Sequence, residues 1–165
     1  MLDWPDIVLR LGVATLAGGA IGLNRDLRGK PIGLRTLGLV SLATAMIVMI
    51  ADPSGRLGAI TDATSRVIQG IVTGIGFLGA GVIFRAEHHA RIHGLTSAAC
   101  TWLTACVGVA CGIGQWQIVT VALAITFVVL IVGGPTERAL HRLLGGKDDG
   151  VDKAPKPAST EPPPL

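Results

Sequence analysis

Apolar residues run along this chain in five long stretches separated by short polar connections: Ile7 to Leu23, Leu37 to Ala51, Val67 to Phe84, Leu95 to Ile113 and Trp116 to Val132. Each approaches the roughly 17–25 residues that a helix needs to cross a bilayer. The pattern therefore predicts an all-α, polytopic membrane protein of about five transmembrane helices, with a transmembrane domain over residues 1–134. The second stretch reaches span length only if its helix starts near Gly33. That start brings Arg35 into the interface, from which a long side chain reaches back to water. Gly114 and Gln115 alone join the fourth and fifth stretches, which predicts a tight helical hairpin.

Beyond Val132 the pattern changes. Pro135 suits the first turn of a helix, and Leu140, Leu143 and Leu144 form an apolar stripe opposite Arg138 and Arg142. These positions predict a short amphipathic helix over 135–145, lying on the membrane surface. Residues 146–165, polar and then rich in proline, predict a disordered tail.

The third stretch carries Gly70, Gly74, Gly76, Gly79 and Gly81. Glycine costs about 1 kcal/mol relative to alanine in a helix interior, so five in one span call for a physical reason. In lipid that reason is close approach of helix backbones, which small residues permit where no hydrophobic force drives association. Gly70 and Gly74 form one small-xxx-small pair, and Gly76 and Ala80 another. Gly18 with Gly22 and Gly108 with Gly112 repeat the spacing. The repetition predicts that the first, third and fourth helices form the packed centre.

Composition agrees with a membrane protein. Half of the 165 residues are hydrophobic, the mean hydropathy is +0.60 and only 15% are charged, against roughly 25% in soluble domains. So much apolar span leaves no room for a separate soluble domain. The net charge of +3 does not point to nucleic acid, because the charges cluster by connection. Arg25, Arg28, Lys30, Arg35, Arg85, Arg91, Arg138, Arg142, Lys147, Lys153 and Lys156 fall on one side of a five-helix topology, and only Arg56 and Arg66 on the other. By the positive-inside rule the amino terminus is outside and the carboxyl terminus cytoplasmic. Trp4 and Trp116 fall at span starts on the outer side, as interfacial aromatics do. The first span has its basic cluster after it, the pattern of an uncleaved anchor. Cys100, Cys106 and Cys111 all lie in one span and read as small apolar packing residues.

Charged groups inside spans are costly and are functional candidates. Arg10 lies four residues after Asp6, which predicts a structural pair. Asp62 and Arg66 share that spacing at the start of the glycine-rich helix; Asp62 could cap this helix at the positive end of its dipole or mark a cation entrance. The connection Asn24 to Thr36 is dense in charge, and Gly29, Pro31 and Gly33 give it a defined turn. Asp26 has Arg25, Arg28 and Lys30 within reach. Glu87, His88, His89 and His93 read as a solvated loop before they read as metal ligands or a pH sensor. Gln69, Thr73, Thr96, Ser97, Thr101 and Thr104 could bond between helices or line a hydrated cavity. No phosphate loop, zinc-protease motif or nucleophile elbow is present, so the sequence gives an enzyme reading no footing, and no cofactor or metal is expected.

The residues also resemble a known family. Arg25-Asp26-Leu27-Arg28-Gly29-Lys30-Pro31-Ile32-Gly33-Leu34-Arg35-Thr36, then Asp62 with Ser65-Arg66-Val67, then Gly74-Ile75-Gly76-Phe77-Leu78-Gly79-Ala80-Gly81, then Gly94-Leu95-Thr96-Ser97-Ala98-Ala99 with Trp102, look like the blocks of the MgtC/SapB (YhiD-type) family. The resemblance runs from about Leu9 to Leu130. It implies a bacterial inner-membrane protein linked to magnesium limitation, acid stress or virulence. It further implies a non-enzymatic regulator acting on another inner-membrane protein, by resemblance the ATP synthase, or on a second copy of itself. The alternative is a small cation channel or transporter for magnesium. The candidate functional residues are Arg25, Asp26, Arg35, Thr36, Asp62, Arg66, Gln69, Thr73 and Thr96. Gly18, Gly22, Gly70, Gly74, Gly76, Gly79 and Gly81 are expected to pack helices. Two positions depart from the family pattern: Asn24 replaces a frequent acidic residue, and Leu37 a frequent polar one. The soluble domain of longer members has no counterpart in the tail from Pro135 to Leu165, so a function that needs it is expected to be absent or supplied by a partner.

Overall fold

The computed structural model describes residues 2–52, 61–84 and 94–143. It contains five helices: α1 (Trp4–Asp26), α2 (Leu34–Ala51), α3 (Asp62–Phe84), α4 (Leu95–Ile113) and α5 (Trp116–Leu143). All five are long and apolar enough to cross a membrane, and no strand occurs among the described residues. Gly33 caps α2, whose first residue is Leu34, so the second span takes the longer of its two lengths and carries Arg35 in its first turn.

The packed centre consists of α1, α2 and α4, not of the first, third and fourth helices. Backbone approach explains the difference. Gly18 of α1 lies so close to α2 that a Cβ there would come 2.5 Å from the Leu37 carbonyl oxygen and 2.6 Å from Ser41 Cβ. Gly22, one turn later, abuts Gly33 and Leu34 in the same way. From the other side, Gly108 of α4 meets Thr44 and the Ser41 carbonyl, and Gly112 meets Ala45, whose oxygen is 2.7 Å from an added Cβ. Ser41, fully buried, is thus wedged between a glycine of α1 and a glycine of α4. Ala14, Ala17, Ala45, Val107, Cys111 and Val119 fill the remaining core. The second helix, the least apparent span in the sequence, is the one its neighbours grip.

The α3 helix packs against α4 and more lightly against α2. It turns Thr64 and Ile75 inward and brings Gly79 to the Ala98 side chain. Its other glycines do not face the bundle: at Gly70, Gly74, Gly76 and Gly81 an added Cβ would meet nothing within 4 Å.

At the end of α4, the Gln115 N–H bonds the Ala110 carbonyl and the Gly114 N–H bonds that of Cys111, with Gly114 left-handed at φ 83°. This is a Schellman closure, and it makes the predicted hairpin turn. The helix expected to begin at Pro135 is instead continuous with the fifth span, since α5 runs from Trp116 to Leu143 with Pro135 inside it. Proline removes one N–H from the ladder, the donor that the Ile131 carbonyl would otherwise receive, a loss that transmembrane helices tolerate. By contacts the chain divides into two units, 1–127 and 128–165. The predicted tail lies outside the described residues.

Overpacking a close interface costs about 1–3 kcal/mol, and more when backbone blocks relaxation. Gly108→Leu is therefore expected to lower the unfolding midpoint in detergent sharply or to prevent folding. Gly74→Leu should leave it unchanged or slightly raised, because open space removes the clash and leucine is the better helix former. Equal destabilisation of the two variants would contradict the packing described.

Candidate functional site

Two groups of predicted residues separate in the structure. The first lies on α3. Positions 62, 66, 69, 70, 73, 74, 77 and 81 recur at the spacing of one helical face, and all are exposed. Asp62, Arg66, Gln69 and Thr73 thus share a surface with Gly70, Gly74 and Gly81, and Phe77 stands out from it at 83% exposure. The Thr73 hydroxyl donates back to the Gln69 carbonyl of its own helix at 2.8 Å. These polar residues are exposed on the outer face of the helix. The cap of α3 falls one residue before Asp62: Thr61 Oγ1 accepts the Thr64 N–H at 3.2 Å and lies 2.9 Å from the Thr64 hydroxyl. Asp62 keeps only the favourable charge–dipole position in the first turn.

The second group lies at the α1–α2 connection. Asp26, the last residue of α1, points its carboxylate across the turn, and Oδ2 accepts the Leu34 N–H at 2.8 Å. The same carboxylate occupies the space a side chain at residue 33 would need. Asp26 therefore caps α2 and is not the partner of Arg25, Arg28 or Lys30. Gly29 takes a positive φ of 62°, which completes the turn. Arg35 and Thr36 are exposed in the first turn of α2, and Thr96 is exposed in the first turn of α4.

Arg25 behaves differently from the rest of its loop. It is 4% exposed, and its Nη2 donates to Ser97 Oγ of α4 at 2.7 Å. Arg10, at the other end of α1, is equally buried. Its Nη1 donates to the Gly112 carbonyl at 2.9 Å, its Nε pairs with Asp6 at 2.9 Å, and its guanidinium lies beside Gly114. The pairing of Asp6 with Arg10 is as the spacing predicted. What the sequence reading missed is that both arginines are buried anchors to α4. The signal was there: Arg10, Ala14, Ala17, Ile21 and Arg25 recur every three or four residues, so a buried small-residue face takes both arginines in with it. On α4 the matching face carries Ser97, Thr101, Thr104 and Gly108, all buried. Thr101 bonds its own helix, whereas Ser41 Oγ and Thr104 Oγ1 are buried without a partner.

Among the described residues no group of three or more His, Cys, Asp or Glu could hold a metal ion. Glu87, His88, His89 and His93 lie outside the described residues. The three cysteines are free, with Cys100 and Cys111 buried.

The family model described as the MgtC family matches residues 11–139. The chain is 39% identical over 137 residues to SrpB of Synechococcus elongatus, covering 78% of this chain and 75% of SrpB. It is 38% identical over 143 residues to MgtC of Salmonella typhimurium, covering 87% and 57% of the two chains. It is 36% identical over 131 residues to YhiD of Escherichia coli, covering 77% and 60%. Apart from SrpB, then, it spans little more than half the length of these relatives. No solved structure matches. The matched segment covers all of α2, α3 and α4 and most of α1 and α5, and the chain belongs to the MgtC family of multi-pass inner-membrane proteins.

Proposed function

We propose that this protein is a non-enzymatic membrane regulator linked to magnesium limitation, and that it acts by docking the outer face of α3 on another membrane protein. One observation carries the reading. Gly70, Gly74 and Gly81 have the spacing of a helix-packing stripe, yet a side chain at any of them would meet no group of the described residues. The glycines of α1 and α4 show what such a stripe does when a backbone lies against it. Polar groups on the same face, Arg66, Gln69 and Thr73, add hydrogen-bonding capacity worth about 0.6–2 kcal/mol each between membrane helices. The magnesium link rests on family membership and on YhiD, whose name provisionally calls it a magnesium transporter. By resemblance the partner is the ATP synthase, another inner-membrane protein, or a second copy. The orientation that sets Arg25, Arg28, Lys30 and Arg35 in the cytoplasm follows the positive-inside rule.

A transport reading has one observation in its favour: Asp62, Gln69 and Thr73 lie on one face, which a ring of chains could enclose around a cation route. The exposed position of these residues requires assembly before any route exists.

The Gly74→Leu variant separates folding from docking. It is expected to insert and keep its unfolding midpoint, while losing both growth support in low magnesium and co-purification of the partner. Full activity in a well-expressed Gly74→Leu protein would refute docking through α3. For the transport alternative, magnesium uptake into proteoliposomes is the direct measurement. The regulator reading expects none; saturable uptake that falls in Asp62→Asn would establish the route instead.

A further inference from the structure

The two buried arginines of α1 bind opposite ends of the same helix, and only one of them is electrostatically at home there. A helix carries roughly half a positive charge at its amino end and half a negative charge at its carboxyl end. Arg10 meets the carboxyl end of α4 through the Gly112 carbonyl and has Asp6 as counter-ion. Arg25 sits at the amino end, bonded to Ser97 in the first turn, where the dipole repels a cation. Its hydrogen-bond partner among the described residues is a neutral hydroxyl, and its Nε is buried without an acceptor. The adjacent carboxylate, Asp26, is turned to the Leu34 N–H. Leaving a buried charge uncompensated is costly, and among the described residues no carboxylate pairs with Arg25.

The same turn of α4 offers donors for an anion. Its first intrahelical bond runs from the Ala98 N–H to the Gly94 carbonyl, so the N–H groups of Leu95, Thr96 and Ser97 precede the ladder. The cap residue, Gly94, has no side chain and makes no capping bond. Leu95 and Thr96 are exposed, which leaves the turn open from outside while Arg25 stands behind it. Free helix N–H groups, a hydroxyl and a guanidinium are the donor set that phosphate oxygens take.

We infer that the first turn of α4, together with Arg25 and Ser97, binds a phosphate group, supplied either by a phospholipid headgroup or by free phosphate. The site is independent of the α3 docking face. Exposed Arg28, Lys30 and Arg35 on the neighbouring connection raise the local anion concentration without forming the site.

The test uses the full chain in a phosphorus-free detergent. Unfolding midpoints are read with inorganic phosphate against chloride at equal ionic strength, and phosphorus retained through purification is counted per chain. A phosphate-dependent rise in the wild type assigns the site to free phosphate. Retained phospholipid at about one per chain, with no effect of added phosphate, assigns it to the headgroup. In either case Arg25→Lys, which keeps charge but loses the guanidinium fork, is expected to weaken binding about tenfold, or ~1.4 kcal/mol, and Ser97→Ala to weaken it less, while Arg28→Gln leaves it nearly unchanged. Should Arg25→Lys not fold, the wild-type response and its reduction in Ser97→Ala still decide the question. Neither a phosphate response nor retained phospholipid in the wild type would overturn the proposal, as would an Arg28→Gln loss equal to that of Ser97→Ala.

Discussion

The contact of α2 with two glycine surfaces is the constraint on which the rest of the bundle depends. Lipid chains are as apolar as leucine, so helices in a bilayer gain little by hiding leucine from their surroundings; they gain from close backbone contact and from bonds between polar groups. Here Gly18 and Gly22 admit α2 from one side and Gly108 and Gly112 from the other. A methyl group at Gly18 or Gly108 would meet α2 backbone at Leu37 or Ser41, which cannot swing aside as a side chain can. Fixing α2 in this way sets α1 and α4 in register with one another, and that register delivers Arg10 to the last turn of α4 and Arg25 to the first.

Much of this was legible in the sequence. Span number, the start of α2 beside Gly33, the hairpin at Gly114 and the Asp6–Arg10 pair all follow from local rules: apolar run length, glycine conformational freedom and four-residue spacing. The identity of the central helices did not follow. Glycine density drew attention to α3, but density says only that a backbone can be approached, not that a neighbour is there. The deciding information is three-dimensional, because Gly18 and Gly108 converge on one serine from helices ninety positions apart in sequence. Pro135 misled for a related reason: its rigidity suits a helix start, yet a helix already under way can carry it.

The candidate site divides along the same line. Grouping Asp62, Arg66, Gln69 and Thr73 on one face needed only helical periodicity. Asp26 and Arg25 separate only in the folded chain. In sequence they are adjacent opposite charges and invite pairing; in the fold one caps α2 and the other is buried against α4. A cap bond directs the Asp26 carboxylate toward the Leu34 N–H, and the small-residue face of α1 carries Arg25 the other way.

Both features of interest meet at the amino-terminal half of α4. The α3 helix rests there, with Gly79 against Ala98 and Val82 against Gly94, and Arg25 holds the same turn from the α1 side. Arg10, Ser41, Thr44, Ala45 and Val48 of α1 and α2 meet the second half of α4, whereas from the α1 side its first turn is held by one neutral hydroxyl bond from a charged residue. Stability in a folded chain is uneven, and segments with few compensated contacts open first. The first turn of α4 is such a segment by its chemistry, since the charge that binds it is opposed by the dipole it faces. An anion there would replace repulsion with attraction among groups already in place, tightening the platform on which α3 stands without moving any helix.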